Sequence, residues 1–129
     1  MKAILFVDDH EVLARLTCEI LRQQGYRAEH AYSASAALAM FDREKFDLLV
    51  TDYRMEEMNG LQLAGLIRQK APDVPIIIVT GYSAIKGSGE VDAWIEKQDM
   101  FPALIDQIRL LLGESQPQVR VERQELKGA

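Results

Sequence analysis

Five side chains spread along this sequence are of the types that handle phosphate and a hard cation. Asp8 and Asp9 are adjacent, Asp52 follows an apolar run, Thr80 closes another, and Lys97 comes last. Carboxylates brought together repel one another, and in a dry site at least one takes up a proton. A hard divalent cation removes that conflict. Mg2+ takes oxygen ligands in an octahedron and keeps several waters, so two or three carboxylates, a backbone carbonyl and water meet its demand. A lysine adds a point charge suited to a phosphoryl oxygen, and a threonine hydroxyl adds a donor to a second one. With a free carboxylate as nucleophile, these are the parts for phosphoryl transfer to an aspartate. Taken singly, each position has an ordinary reading. An Asp pair caps a helix, Asp52 begins a turn, Thr80 is a β-branched strand residue, and Lys97 is a solvated surface charge. Their order and placement make the case.

The elements around them place all five at comparable positions. Residues 3–7 are a short apolar run without alternation, which suits a strand buried on both faces. Residues 10–24 read as a helix with a stripe of Leu13, Leu16, Thr17, Ile20 and Leu21, closed by Gly25. Residues 26–30 form a more polar strand, suited to a sheet edge, and residues 33–43 a second helix. Residues 47–51 are a buried-type strand that ends at Asp52. Residues 59–69 read as a third helix capped by Asn59. Residues 74–80 hold the most β-branched run, Ile76-Ile77-Ile78-Val79, and end at Thr80. Residues 91–96 form a fifth strand ending at Lys97, and residues 101–112 a last helix with Pro102 in its first turn. Strands alternating with helices imply a doubly wound α/β fold, with a parallel sheet, helices on both faces and right-handed crossovers. Ligands gather at the carboxyl ends of such strands, where all five residues fall.

Composition bounds the rest. The chain has 129 residues, 48% of them hydrophobic, which suits one domain with a real core. Fifteen Lys and Arg against twenty Asp and Glu give a net charge of −5, which argues against a nucleic-acid or anionic-membrane binder. No apolar run approaches the roughly 20 residues of a membrane helix, and Asp8-Asp9 interrupts the start too early for a signal peptide. The single Cys18 cannot form an internal disulfide. A cytoplasmic, reduced protein is expected, with residues 1–113 as the domain and residues 114–129 as a polar tail or linker. Cys18, Met40, Met55, Met58 and Met100 read as packing residues, His10 as a helix-start residue, and His30 as a residue at the edge-strand end without a ligand partner.

The motifs together resemble the response-regulator receiver domain of two-component signal transduction. The matching residues are Asp8-Asp9 in Phe-Val-Asp-Asp-His, Asp52 in Leu-Leu-Val-Thr-Asp-Tyr-Arg-Met, then Met58-Asn59-Gly60, Thr80-Gly81 and Lys97. The likeness covers about residues 2–113. It implies a flavodoxin-like sheet of strand order 2-1-3-4-5, and a phosphoryl group taken up on Asp52 from a sensor histidine kinase or phosphotransfer protein. It further implies Mg2+ held directly by Asp9 and Asp52, through water by Asp8, and by the backbone carbonyl of Arg54. Thr80 and Lys97 would bind the phosphoryl oxygens. Thr80 and the aromatic residue three before the lysine, Trp94, would form the switch. The readout would be a downstream protein target or an output domain absent from this chain. Such a domain is not an enzyme beyond its own phosphorylation and dephosphorylation.

Three departures from the family pattern stand out. Gln98 follows Lys97 where the family usually has proline, often cis, so a trans turn and a shifted lysine are expected. Glu56 stands where a proline is usual, which predicts a looser, more acidic loop. Only residues 81–96 separate Thr80 from Lys97, fewer than usual, and glycines at 81, 87 and 89 argue against a full fourth helix. A short or remodelled fourth helix is therefore expected, with an altered output face. The resemblance also implies that Arg54 and Tyr82 would flank the path of an attacking water and slow hydrolysis.

Other readings of the same residues remain open. A pseudo-receiver would keep the fold as a protein-interaction module without phosphorylation. A phosphatase with an aspartate nucleophile commonly needs a second acid two residues on, where Arg54 stands. A flavin-binding module would favour a Ser/Thr/Gly-rich loop after the first strand, where Asp8-Asp9-His10 would repel phosphate.

Overall fold

The computed structural model describes residues 1–81 and 91–114. Among them are five strands and four helices, in the order β1 (Ala3–Val7), α1 (Glu11–Gln23), β2 (Arg27–Ala31), α2 (Ala34–Arg43), β3 (Leu48–Asp52), α3 (Gly60–Lys70), β4 (Ile76–Thr80), β5 (Ala93–Glu96) and α4 (Met100–Leu111). A single 3-10 turn, Lys97–Asp99, joins β5 to α4. The strands form one parallel sheet in the order β2-β1-β3-β4-β5. This is the expected doubly wound arrangement, with the polar β2 at the edge. The expected remodelled segment, Tyr82 included, and the proposed tail beyond Glu114 lie outside the described residues. Among the described residues, no helix is long and apolar enough to cross a membrane.

The central strands are apolar on both faces because each face meets helices. Ile4, Phe6, Leu48, Val50, Ile77 and Val79 pack with Cys18, Leu21, Leu104 and Ile108 of α1 and α4. The alternate residues Leu5, Val7, Leu49, Ile76 and Ile78 pack with Ala37, Leu63 and Ile67 of α2 and α3. Every residue of β1, β3 and β4 is buried. Continuous apolar runs in the sequence thus mark strands sandwiched between two layers, the reason the period-2 alternation is absent.

Local chemistry sets the helix ends. His10 caps α1 through Nδ1, which accepts from the Leu13 amide at 3.3 Å. Ser33 caps α2, and Asn59 with Gln62 forms a reciprocal capping box on α3. Gly25 closes α1 with φ +97°, a left-handed conformation that costs glycine little. Cys18 and Met100 are buried among apolar neighbours, and burial pushes the Cys18 thiol up to about 11. Both act as packing residues.

Candidate functional site

Three strand ends build the site. Beyond Val7 the Asp8 amide still donates to Ala31 O of β2 at 3.1 Å, but its side chain turns the chain. Asp8 Oδ1 accepts from the His10 amide at 2.8 Å. This turn, typical of a short acidic side chain, lets the two adjacent aspartates serve one place. Asp52 is the last residue of β3. The Tyr53 amide donates to Val79 O at 2.8 Å and so keeps the end of β3 against β4. The result is a cluster in which Asp8, Asp9 and Asp52 each offer an oxygen, all within 4.8 Å of one another.

The glycine of Met58-Asn59-Gly60 has a steric reason. A Cβ at Gly60 would lie 2.6 Å from the backbone oxygen of Asp52. The Gly60 amide donates to Tyr53 O at 2.7 Å. The start of α3 therefore presses directly on the backbone of the phosphoacceptor candidate, and only a residue without a side chain fits there.

Lys97 reaches the cluster from the 3-10 turn after β5. Its Nζ lies 3.5 Å from Asp8 Oδ2 and 3.4 Å from Asp52 Oδ1. The Lys97–Gln98 bond is trans, as the missing proline predicts, and the ammonium still spans both carboxylates. Asp8 is 1% exposed and Asp52 5%. Burial and the neighbouring Asp8 push the Asp52 carboxyl up to about 6, against the opposing pull of Lys97. One ammonium does not cancel three carboxylates. Asp8 Oδ2 is buried and has no hydrogen-bond partner among the described residues; the Lys97 ammonium lies 3.5 Å away. An orphaned buried carboxylate oxygen beside two more carboxylates is a donor set for a hard cation, so the residues fit Mg2+.

The remaining expected residues lie around this centre. Thr80 ends β4 and is 1% exposed, one residue beyond Val79, the register partner of Asp52. Arg54 is exposed, two residues past the strand. Trp94 lies within β5, paired in register with Ile78. It is half-buried, and its ring centroid is 6.1 Å from that of Tyr53. Its Nε1 is buried without a hydrogen-bond partner among the described residues. The Tyr53–Trp94 contact was not anticipated. Tyr53 adjoins Asp52 in sequence, but nothing local in the sequence links it to a residue on β5. His30 Nε2 lies 2.8 Å from the Tyr32 hydroxyl.

Known proteins share this pattern. A family model for the response regulator receiver domain matches residues 4–92. The response regulator receiver protein CpdR of Brucella abortus is 33% identical over 93 residues, covering 72% of this chain and 78% of that protein. The transcriptional regulatory protein GlrR of Escherichia coli is 39% identical over 82 residues, 64% of this chain but 18% of that longer protein. The response regulator TrrA of Thermotoga maritima, solved with Mg2+-BeF, superposes with a TM-score of 0.80 at 33% identity, over 86% of this chain and 99% of that one. TrrA has also been solved in complex with the histidine kinase ThkA, matching at a TM-score of 0.79 over 87% of this chain and 99% of that one, 34% identical. With the sheet order, the strand-end carboxylates and these likenesses in place, the chain belongs to the response regulator receiver family.

Proposed function

We propose that this receiver is a working phosphoacceptor, loaded on Asp52 by a histidine kinase in the presence of Mg2+. The observation that carries the reading is the placement of the Lys97 ammonium 3.4 Å from Asp52 and 3.5 Å from Asp8, with Asp9 completing the acidic cluster. Asp9, Asp52 and the Arg54 carbonyl would hold the cation, with Asp8 acting through water. Bound there, Mg2+ neutralises the carboxylates and the charge on the transferring group.

In the transfer, an Asp52 oxygen bonds to phosphorus as the P–N bond to the donor imidazole breaks. The bonding pair leaves with the imidazole nitrogen. Lys97 places its positive charge on one phosphoryl oxygen, and the Thr80 hydroxyl donates to another. The burial that raises the Asp52 carboxyl disfavours the free anion, and a cation held by Asp9 and Asp52 would favour the anion that attacks. Drawing Thr80 toward the phosphoryl group would vacate space beside β4 and bring the Trp94 ring inward. The ring already rests on Tyr53, the neighbour of Asp52. TrrA with bound Mg2+-BeF and TrrA with the kinase ThkA support the same partners for this chain. The regulators it matches over a small fraction of their length support an output domain elsewhere.

Intact mass after incubation with Mg2+ and a small acyl phosphate tests the proposal. A single phosphoryl adduct is expected, absent without Mg2+ and absent in Asp52→Asn. An unmodified wild-type chain would instead make it an interaction module. Rapid turnover of phosphomonoesters would make it a phosphatase.

A further inference from the structure

The loop between β3 and α3 carries the backbone carbonyl assigned to the cation, yet it lacks the proline that usually stiffens it. Glu56 occupies that place, so φ there is not fixed covalently. The two ends of the loop are well held. Tyr53 donates to Val79 O, Gly60 donates to Tyr53 O, and the Asn59–Gln62 capping box fixes the entry to α3. Between these ends Arg54 and Glu56 are exposed, while Met55 is half-buried against the α2 and α3 side of the core.

Glu57 supplies a further hold. Its Oε1 accepts from the Ser35 amide at 3.0 Å and from the Ser35 hydroxyl at 3.1 Å, and its Oε2 lies 2.9 Å from the same hydroxyl. Ser35 is the second residue of α2, so its amide is one of the four at a helix start that lack an intrahelical acceptor. A carboxylate there gains charge-assisted hydrogen bonds and a favourable helix dipole. These bonds hold the Glu57 carboxyl below its ordinary value. A cleft of about 270 Å3 adjoins the bridge, lined by Asp9, Tyr32, Ser33, Met55 and Glu57. Asp9 belongs to the cation cluster and Met55 neighbours Arg54. The Glu57–Ser35 bridge therefore ties the loop to α2 beside the cleft that Asp9 lines.

We infer that Glu57, acting through Ser35, is a positioning residue that fixes the loop bearing the Arg54 carbonyl relative to Asp9. The inference rests on the Mg2+ reading above. Octahedral coordination tolerates little displacement of a ligand, and groups that orient metal ligands commonly change affinity by about 10-fold or more. The bridge does the work that proline does elsewhere in the family, by a hydrogen-bonded tie to a neighbouring helix.

The test is an amide NMR titration of the full chain with MgCl2 at constant ionic strength, read at Asp9 and Asp52. Glu57→Ala is expected to weaken Mg2+ about tenfold, with native shifts elsewhere. Glu57→Gln keeps an oxygen acceptor for the Ser35 amide and is expected to bind within about twofold of wild type if the tie, not the charge, matters. Ser35→Ala removes only the hydroxyl, leaves the local charge unchanged and is expected to fall between. Unchanged affinity in Glu57→Ala overturns the inference. So does a Glu57→Gln as weak as Glu57→Ala beside an unaffected Ser35→Ala, because the field of the charge alone would then explain the loss. A wild-type chain with no saturable shift at Asp9 and Asp52 overturns the Mg2+ reading itself, a result separate from failure of the tie.

Discussion

The two ends of the sheet treat their carboxylates in opposite ways. At the amino end, Asp47 just before β3 accepts from the Ala3 amide, the first of β1, at 2.7 Å. Asp92, just before β5, accepts from the Ile76 amide, the first of β4, at 2.8 Å and from Arg68 at 2.9 Å. Each ties the start of one strand to the start of its neighbour. At the carboxyl end, Asp8, Asp9 and Asp52 crowd within 4.8 Å. Asp8 and Asp52 share the Lys97 ammonium at 3.5 and 3.4 Å, and Asp8 Oδ2 has no hydrogen-bond partner among the described residues. The same residue type thus serves stability at one rim and holds an electrostatic conflict at the other. On the proposed reading a bound cation would relieve that conflict, and such a rim is where binding energy can be turned into a change of state.

The largest expected effect comes from removing that conflict. The Asp52 carboxyl is raised from its ordinary 3.8 to about 6 by burial and by Asp8. The folded chain therefore keeps a proton that the unfolded chain has lost, and folding takes up a proton between about pH 4 and 6. Stability falls as pH rises through that window, and above it the full penalty is present. Asp52→Asn in chelator at neutral pH should be more stable than wild type by roughly 1–3 kcal/mol, the range allowing for water screening at an open rim. Denaturant midpoints should show this gain shrinking as pH falls from 6 toward 4. Saturating Mg2+ should reverse the order, because the ligand stabilises the form that binds it. A gain that persists unchanged at low pH would contradict the assigned cause.

The next effect has the opposite sign and belongs to the other rim. Asp92→Ala deprives the Ile76 amide and one Arg68 nitrogen of their acceptor. Hydrogen bonds to a charged group contribute about 1.5–3 kcal/mol, so a loss of about 2 kcal/mol is expected in urea denaturation. The apparent Mg2+ affinity should stay at the wild-type value, since β4 separates this tie from the carboxylate cluster by its full length. A matching fall in Mg2+ affinity would show that the two rims are coupled, and the contrast drawn between them would fail.

What the sequence reveals differs between these rims for a physical reason. The functional rim follows from strand ends, because uninterrupted apolar runs such as residues 3–7 and 76–79 announce strands buried on both faces. Asp8, Asp52, Thr80 and Lys97 then fall at the carboxyl ends by counting. Gly60 was legible as part of a motif, though its cause, the backbone of Asp52 at 2.6 Å from a Cβ position, required coordinates. The ties at Asp47 and Asp92 were not legible, since each partner lies on a strand far away in the sequence. The Glu57–Ser35 bridge and the Tyr53–Trp94 contact are hidden for the same reason. In the sequence Glu57 merely follows the Glu56 that replaces a usual proline, whereas in the fold it is bonded to α2.

The smallest expected effect concerns time rather than stability. Arg54 is an exposed side chain two residues beyond Asp52, and on the proposed reading it would flank the path by which water reaches a phosphorylated Asp52. A long, charged side chain there would exclude water from the acyl phosphate. Arg54→Ala keeps the backbone carbonyl proposed as a cation ligand, so Mg2+ affinity and adduct formation should be unchanged. Surface substitutions of this kind alter stability by no more than about 0.5 kcal/mol. The decay of the adduct, followed by mass after the phosphodonor is removed, should become a few-fold faster. An unaltered decay rate would place Arg54 outside the water path and leave the lifetime to the carboxyl-end rim itself.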